Sequence, residues 1–174
     1  LEVLFITKHL DFIGYMSCNP AVGGLAKGHL VKEIDALGGK IGEITDRNAI
    51  QYRILNKRKG LSVRSLRAQV DRQKYKASMK KITEENPDIT LLQSELTGIV
   101  SKNKKVVGVK IKTGEILNGK TVILCLGTFL NGLIHIGLKS FPGGRFGEES
   151  SVELSRNLKS LGFKILSFKT GTCA

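Results

Sequence analysis

The sequence has no run of eighteen apolar residues, so no segment has the length and hydrophobicity of a membrane-spanning helix. It opens Leu1-Glu2-Val3-Leu4-Phe5-Ile6, without a basic stretch, an extended apolar core or a small-residue cleavage site, and does not read as a signal peptide. Cysteine is scarce. Cys18, Cys125 and Cys173 are an odd number without a CxxC pair, and the three histidines are scattered. Neither a disulfide framework nor a zinc site is expected, and the cytoplasm or an organelle matrix suits this usage. Acidic residues are also few: fifteen Asp and Glu stand against twenty-eight Lys and Arg, a net charge of +13. Such an excess favours polyanionic partners, although lysines scattered over a neutral fold explain part of it. Repeats and low-complexity stretches are absent. What is present, 174 residues with 41% hydrophobic side chains, is the length of one domain with a real core.

Local patterns give an order of elements. Val3 to Thr7 reads as a short buried strand, and Asp11 to Gly24 as a loop marked by Asn19-Pro20 and Gly23-Gly24. Leu25 to Leu37 is expected to be helical, with Ala26, Leu30, Val31, Ile34 and Leu37 on one stripe. Ile50 to Leu55 suits either helix or strand, and a charged helix is expected from about Leu66 to Glu85, ended by Asn86-Pro87. Strands over Ile89–Gln93, Glu95–Val100, Val106–Lys112 and Glu115–Leu117 suit a small antiparallel meander, at about 89–118. Thr121 to Leu126 is apolar at nearly every position, as in a strand buried on both faces. Ser150-x-x-Glu153 reads as a capping box for a helix to about Leu161, and Phe163 to Phe168 as a last strand. Both ends lie close to strands, as in an excised middle of a larger sheet.

Four stretches carry chemistry. The first is Met16-Ser17-Cys18-Asn19-Pro20-Ala21-Val22-Gly23-Gly24-Leu25-Ala26-Lys27-Gly28-His29-Leu30-Val31-Lys32-Glu33. A cysteine on a glycine-rich loop that feeds a helix gains from the helix dipole and from Lys27, both of which favour a thiolate, and paired glycines let a flat ligand or phosphate approach the backbone. The plainer alternative is a small cysteine packed in a loop. The second runs through Ile54-Leu55-Asn56, Lys59-Gly60, Val63-Arg64, Arg67-Ala68-Gln69 and Asp71-Arg72. Its guanidinium groups suit phosphates, of a dinucleotide or of RNA, or else form a solvated basic face. The third is Thr121-Val122-Ile123-Leu124-Cys125-Leu126-Gly127-Thr128-Phe129-Leu130-Asn131-Gly132, an apolar strand ending where a small residue lets the backbone reach a ligand. Within it Cys125 reads as core, and His135 beyond it as an ordinary strand histidine. The fourth is Lys169-Thr170-Gly171-Thr172.

The run Met16 to Glu33, continued by Ile34-Asp35-Ala36-Leu37-Gly38-Gly39, resembles the segment that marks the glucose-inhibited division protein A family, the tRNA uridine 5-carboxymethylaminomethyl modification enzymes. The arginine stretch is similar too, departing at Leu61-Ser62 where a Pro-Ala pair is usual. The Gly127-Thr128 run, with Ile134-His135-Ile136-Gly137-Leu138 and Gly143-Gly144-Arg145, is similar to the second sheet signature of two-dinucleotide-binding-domain flavoproteins. Lys169 to Thr172 matches except that two prolines would follow where Cys173-Ala174 stand. The likeness covers essentially the whole chain.

It implies an α/β fold, the central part of a glutathione-reductase-like FAD-binding Rossmann domain with an inserted small antiparallel β-meander, spanning 1–174. It also implies that a glycine-rich flavin-phosphate motif should precede Leu1, and that a second cysteine and a helical C-terminal domain should follow Ala174. This stretch alone is then expected to be inactive. The resemblance implies FAD, NADH as reductant and a folate one-carbon donor; tRNA as substrate; a GTPase partner, MnmE; a homodimer; and a bacterial cytoplasm or a mitochondrion. By the same resemblance Cys18 is catalytic beside the flavin. Asn19, Gly23, Gly24, Leu96, Gly127, Thr128, Arg145 and Ser151 hold the cofactor, and Lys27, Arg64, Arg67 and Arg72 meet tRNA. Two alternatives remain at this level: a folate- and FAD-dependent tRNA uridine methyltransferase of the same architecture, and a basic RNA-binding module without catalysis.

Overall fold

The computed structural model describes residues 1–145 and 147–169, which form two compact units: Leu1–Phe5 with His9–Leu92, and Ile6–Lys8 with the chain from Gln93 onward.

The first unit contains, in chain order, β1 (Val3–Thr7, whose last two residues are assigned to the second unit), a 3-10 turn at Leu10–Phe12, β2 (Ala21–Gly23), α1 (Lys27–Ala36), α2 (Ile41–Asn48), β3 (Ala49–Leu55), a 3-10 turn at Leu61–Val63, β4 (Ser65–Val70), α3 (Arg72–Glu84) and β5 (Ile89–Gln93, whose last residue is assigned to the second unit). β4 is the centre of a three-stranded antiparallel sheet in the order β2-β4-β3. Alternation along β4 divides the sheet: Ala68 and Val70 are buried, and Val70 joins Ile44 of α2 and Tyr75 of α3 in a core that also takes Val22, Met79 and Ile82. α2 is seated there by Ile44, 1% exposed, and its outer face is laced by Glu43 bridging to Lys40 and Arg47 at helical spacing. The Asn48 amide donates to the Ile44 carbonyl (2.8 Å) and to Ser78 Oγ (3.1 Å), tying α2 to α3.

The expected long helix from Leu66 is instead a strand followed by a helix. Arg67-Ala68-Gln69-Val70 alternates in burial as a central strand does, and Asp71 accepts the amide protons of Gln73 and Lys74, both at 3.0 Å, to start α3 one residue later. Such a cap contributes about 1 kcal/mol. Asp11 to Gly24 is likewise not all loop, since Ala21–Gly23 pairs with β4. The ambiguous segment is strand β3, and the helix before it, α2, is an addition to the expected order. The stripe assigned to the first helix is not a buried face: α1 has no buried residue, and Leu30 and Leu37 are exposed. Val3, Leu4 and Phe5 of β1 are exposed as well; β5 is the one hydrogen-bonded neighbour of β1 among the described residues, too little to cover it.

The second unit is built on the antiparallel meander β6 (Leu96–Lys102), β7 (Lys105–Ile111) and β8 (Ile116–Asn118), followed by the hairpin β9 (Leu133–Ile136) and β10 (Lys139–Pro142) and by α4 (Val152–Ser160). Because β5 pairs with β1 and not with β6, the meander runs over 96–118. Asn103 and Lys104 both take positive φ, 51° and 62°, in the two-residue turn that joins β6 to β7, a conformation asparagine tolerates. Val109, Ile111, Leu154 and Leu158 are buried.

Three expectations fail in this unit. Thr121 to Leu126 forms no strand among the described residues; Ile123 is 83% exposed and Cys125 is exposed, not core. A doubly buried strand needs ladders on both sides, and no described segment supplies them. Phe163 to Phe168 is not a strand either, with Phe163, Leu166 and Phe168 exposed. The capping box is not formed: Ser151, not Ser150, precedes the helix and makes no side-chain cap bond, while Ser150 Oγ lies 3.4 Å from the Phe129 carbonyl. Thr170 to Thr172 of the fourth stretch, and Cys173, lie outside the described residues.

Candidate functional site

The expected site residues fall into two groups, one in each unit. In the first, Cys18 is an exposed free thiol on the irregular segment before β2. Three bonds hold that segment. Val70 N–H donates to the Pro20 carbonyl (2.8 Å), Ala21 N–H to the Asn19 carbonyl (2.8 Å), and Arg72 Nη2 to the Cys18 carbonyl (2.6 Å). Val70 ends β4 and Arg72 opens α3, so the thiol loop is pinned at one strand–helix junction from both sides. A guanidinium on a carbonyl is a charge-assisted bond, stronger than its neutral counterpart. Arg72, expected at tRNA, therefore holds the loop. The loop does not feed α1 directly, since β2 lies between Cys18 and the helix.

The two glycines also act on the protein itself. Gly23 sits at φ +89°, and a Cβ there would lie 2.4 Å from the Leu66 carbonyl oxygen, so its bareness lets β2 close on β4. Gly24 is buried; its N–H donates to Leu66 O (2.9 Å), and its carbonyl accepts from the Ser65 hydroxyl and the amides of Lys27 and Gly28. Asn19 and the Lys27 side chain stay on the surface. Arg64 is exposed just past the second 3-10 turn, and Arg67 lies on β4 with Gly23 opposite on β2 and Arg53 opposite on β3.

In the second unit the residues converge on Phe129. Arg145 and Lys8 both stand over its ring, 5.1 and 5.2 Å from the centroid, while Arg145 Nε and Nη2 reach Glu148 at 2.6 and 3.0 Å. The Thr128 hydroxyl donates to the Gly144 carbonyl (2.7 Å), and buried Ser151 gives its N–H to Phe129 O (2.8 Å). Gly127 differs: its φ is +56° and nothing lies within 4 Å of where a Cβ would be, so this turn offers open backbone. Leu96 opens β6 opposite Ile111.

Next to Leu96 is a group that the sequence reading missed. Glu95 meets Lys8 (3.2 Å) and Lys112 (3.3 Å), and Lys112 also reaches Glu149 (3.5 Å). Burial alone would raise the Glu95 carboxyl. The hydrogen bond and charge of Lys8, with help from Lys112 and Ser151, outweigh it and hold the carboxyl below its ordinary value. No local pattern announces partners so far apart in sequence. Among the described residues no group of His, Cys, Asp or Glu could hold a metal, and no helix is long and apolar enough to cross a membrane.

With this geometry in view, the model of the family described as "Glucose inhibited division protein A" matches residues 1–174. The chain belongs to that family. A tRNA uridine 5-carboxymethylaminomethyl modification enzyme MnmG of Geobacter sulfurreducens is 56% identical over 99% of the chain, which spans 28% of that relative, and one from Chlamydia trachomatis is 52% identical over the same shares. The solved structure of Aquifex aeolicus GidA superposes with a TM-score of 0.84 at 46% identity, over 90% of this chain and 26% of that one. A GidA-related protein from Thermus thermophilus, TM-score 0.63 and 22% identity over 95% of this chain and 60% of that one, shares the fold. The expected α/β class holds, a Rossmann-like domain with an inserted antiparallel meander.

Proposed function

We propose that the chain is part of an FAD-dependent enzyme that adds a carboxymethylaminomethyl or aminomethyl group at C5 of the wobble uridine of tRNA. The observation that carries this reading is 51–56% identity, over 98–99% of the chain, to enzymes named for that modification. The Cys18 loop lies inside the matched stretch, anchored but with its thiol exposed. Gly127 is the best-fitting residue for a flavin, since open backbone at a positive-φ turn lets a flat ring or a phosphate come close. Leu96 would meet the cofactor through its backbone; Thr128, Arg145 and Ser151 would shape that surface from behind. FAD, when bound, supplies the redox chemistry, with NADH as reductant and folate as the carbon donor. Cys18 supplies a thiolate nucleophile or a proton-transfer group. A GTPase partner MnmE, a homodimer and a cytoplasmic or mitochondrial location belong to the same proposal.

The test is replacement of the gene by one encoding Cys18→Ser, followed by nucleoside analysis of the tRNA. The modified uridine should fall by roughly a hundredfold or more, the scale of a lost acid–base or nucleophilic group, while the purified protein keeps its flavin absorbance. Modification at the wild-type level would reduce Cys18 to packing. A methyl group in place of an aminomethyl group in the parent's product would move the reading to the methyltransferase class.

A further inference from the structure

β3, β4 and the loop between them carry six cations, Arg53, Lys57, Arg58, Lys59, Arg64 and Arg67, and no acidic residue stands between Asp46 and Asp71. None of the six is in an ion pair among the described residues, whereas Lys40, Arg47, Lys80 and Lys81 of the same unit each meet a carboxylate. The register makes the excess sharper. Arg53 and Arg67 are direct cross-strand partners, and like charges in that position repel. The pair is not part of the core cluster: its face of the sheet continues with the polar pair Gln51 and Gln69, while the core lies behind Val70 and Ala68. Opposed residues stand about 5 Å apart at Cα, so both guanidinium groups can converge on one phosphate. The loop is shaped, not loose. Asn56, at φ +56°, donates from its side chain to the Val63 carbonyl (3.2 Å), and Lys59 N–H donates to the Asn56 carbonyl (2.9 Å), which turns the loop back on itself.

We infer that the β3–β4 hairpin is an RNA arm, which tracks the phosphate backbone of the substrate with its loop cations and grips one phosphate between Arg53 and Arg67. This rests on the tRNA reading above and adds to it Arg53, Lys57, Arg58 and Lys59; Arg72, bonded to the Cys18 carbonyl, is outside the arm. The occupant is a phosphodiester backbone because the six cations, with no acid among them, discriminate by charge, and the exposed apolar side chains of the strands, Tyr52, Ile54 and Leu66, lie on the sheet face opposite Arg53 and Arg67.

The test compares two variants of the chain by binding to an unmodified tRNA transcript at several salt concentrations. One is R53Q/K57Q/R58Q/K59Q/R67Q. The control, K102Q/K104Q/K105Q, removes charge from the β6–β7 turn of the other unit. The arm variant should bind at least about tenfold more weakly, and its salt slope should shrink by roughly three to four units, near one per lost phosphate contact. The control should change the slope by less than about one. Every altered side chain except half-buried Arg67 is exposed, and R53K/R67K, which keeps the charge, should retain the slope if the fold is intact. An arm variant that keeps the parent's slope, or a control that loses as much, overturns the arm while leaving the tRNA reading in place. A parent chain that shows no salt-dependent tRNA binding overturns both.

Discussion

Two hairpins of this chain are alike in sequence and opposite in use. The β3–β4 hairpin and the β6–β7 hairpin are both antiparallel, both lysine- or arginine-rich, and both close on a turn with asparagine at positive φ. In the second, Val109 and Ile111 are buried, and the Asn157 side chain from α4 grips the outer edge of β6: its Oδ1 accepts from Ile99 N–H (2.8 Å) and its Nδ2 donates to the Ile99 carbonyl (3.5 Å). In the first, β3 has no buried residue, and only β4 backs onto a core. Charge just past a strand end is structural where carboxylates are close, as Glu95 is to Lys8 after β1 and Lys112 after β7, and is free to meet a partner where no acidic residue stands near in sequence, as along β3, β4 and their loop.

If that contrast is right, the first unit stands on the core behind β4 and not on β3. Ile44→Ala should cost about 2–5 kcal/mol, since it removes buried methylenes from a packed site. All three tyrosines, Tyr15, Tyr52 and Tyr75, lie in the first unit, so urea unfolding followed by tyrosine fluorescence reads it alone. A loss below about 1 kcal/mol would mean the core collapses without cost and the contrast fails. The second hairpin should be broken differently, at its edge. Asn157→Ala leaves the Ile99 amide without its partner and should cost about 1–3 kcal/mol, seen as lost hydrogen-exchange protection at that amide. Unchanged protection would mean that water replaces the clamp.

The same contrast explains what the sequence could show. The meander strands were legible because alternating β-branched residues between Asn103-Lys104 and Thr113-Gly114 can form little else. Cys18 and Gly127 stood out because short-range composition marks them. Ser65 to Val70 was not legible: Leu66 and Arg67 favour a helix locally, and only pairing with β2 and β3 makes the segment a strand. Thr121 to Leu126 erred the other way, since an apolar run states a preference for burial without supplying the neighbours that bury it. Arg72 read as one more cation because its partner, a backbone carbonyl, has no sequence signature.

The smallest expected effect separates a carboxylate of one unit from a carboxylate of the other. Glu95 and Asp11 are both held below their ordinary values. For Glu95 burial opposes the shift and Lys8 and Lys112 overcome it; for Asp11 the hydrogen bond and charge of Lys80 cause it. A lowered carboxyl stabilises the fold fully above its unfolded value, about 4, and the contribution disappears as pH falls through the folded value. Stability should therefore be flat from neutral pH to about pH 5 and fall below it, and Glu95→Gln should flatten that acid limb. The Glu95 side chain is 17% exposed and that of Asp11 79%, so salt should act on them unequally. At about 0.5 M NaCl the screening length is a few ångströms, and Asp11→Asn should then match the wild type across the acid limb, whereas Glu95→Gln should still differ from it. Thermal melts at pH 3 to 7, with and without salt, measure both. If the Glu95→Gln protein keeps the wild-type acid limb, the Lys8–Glu95–Lys112 group contributes no more than an exposed surface pair.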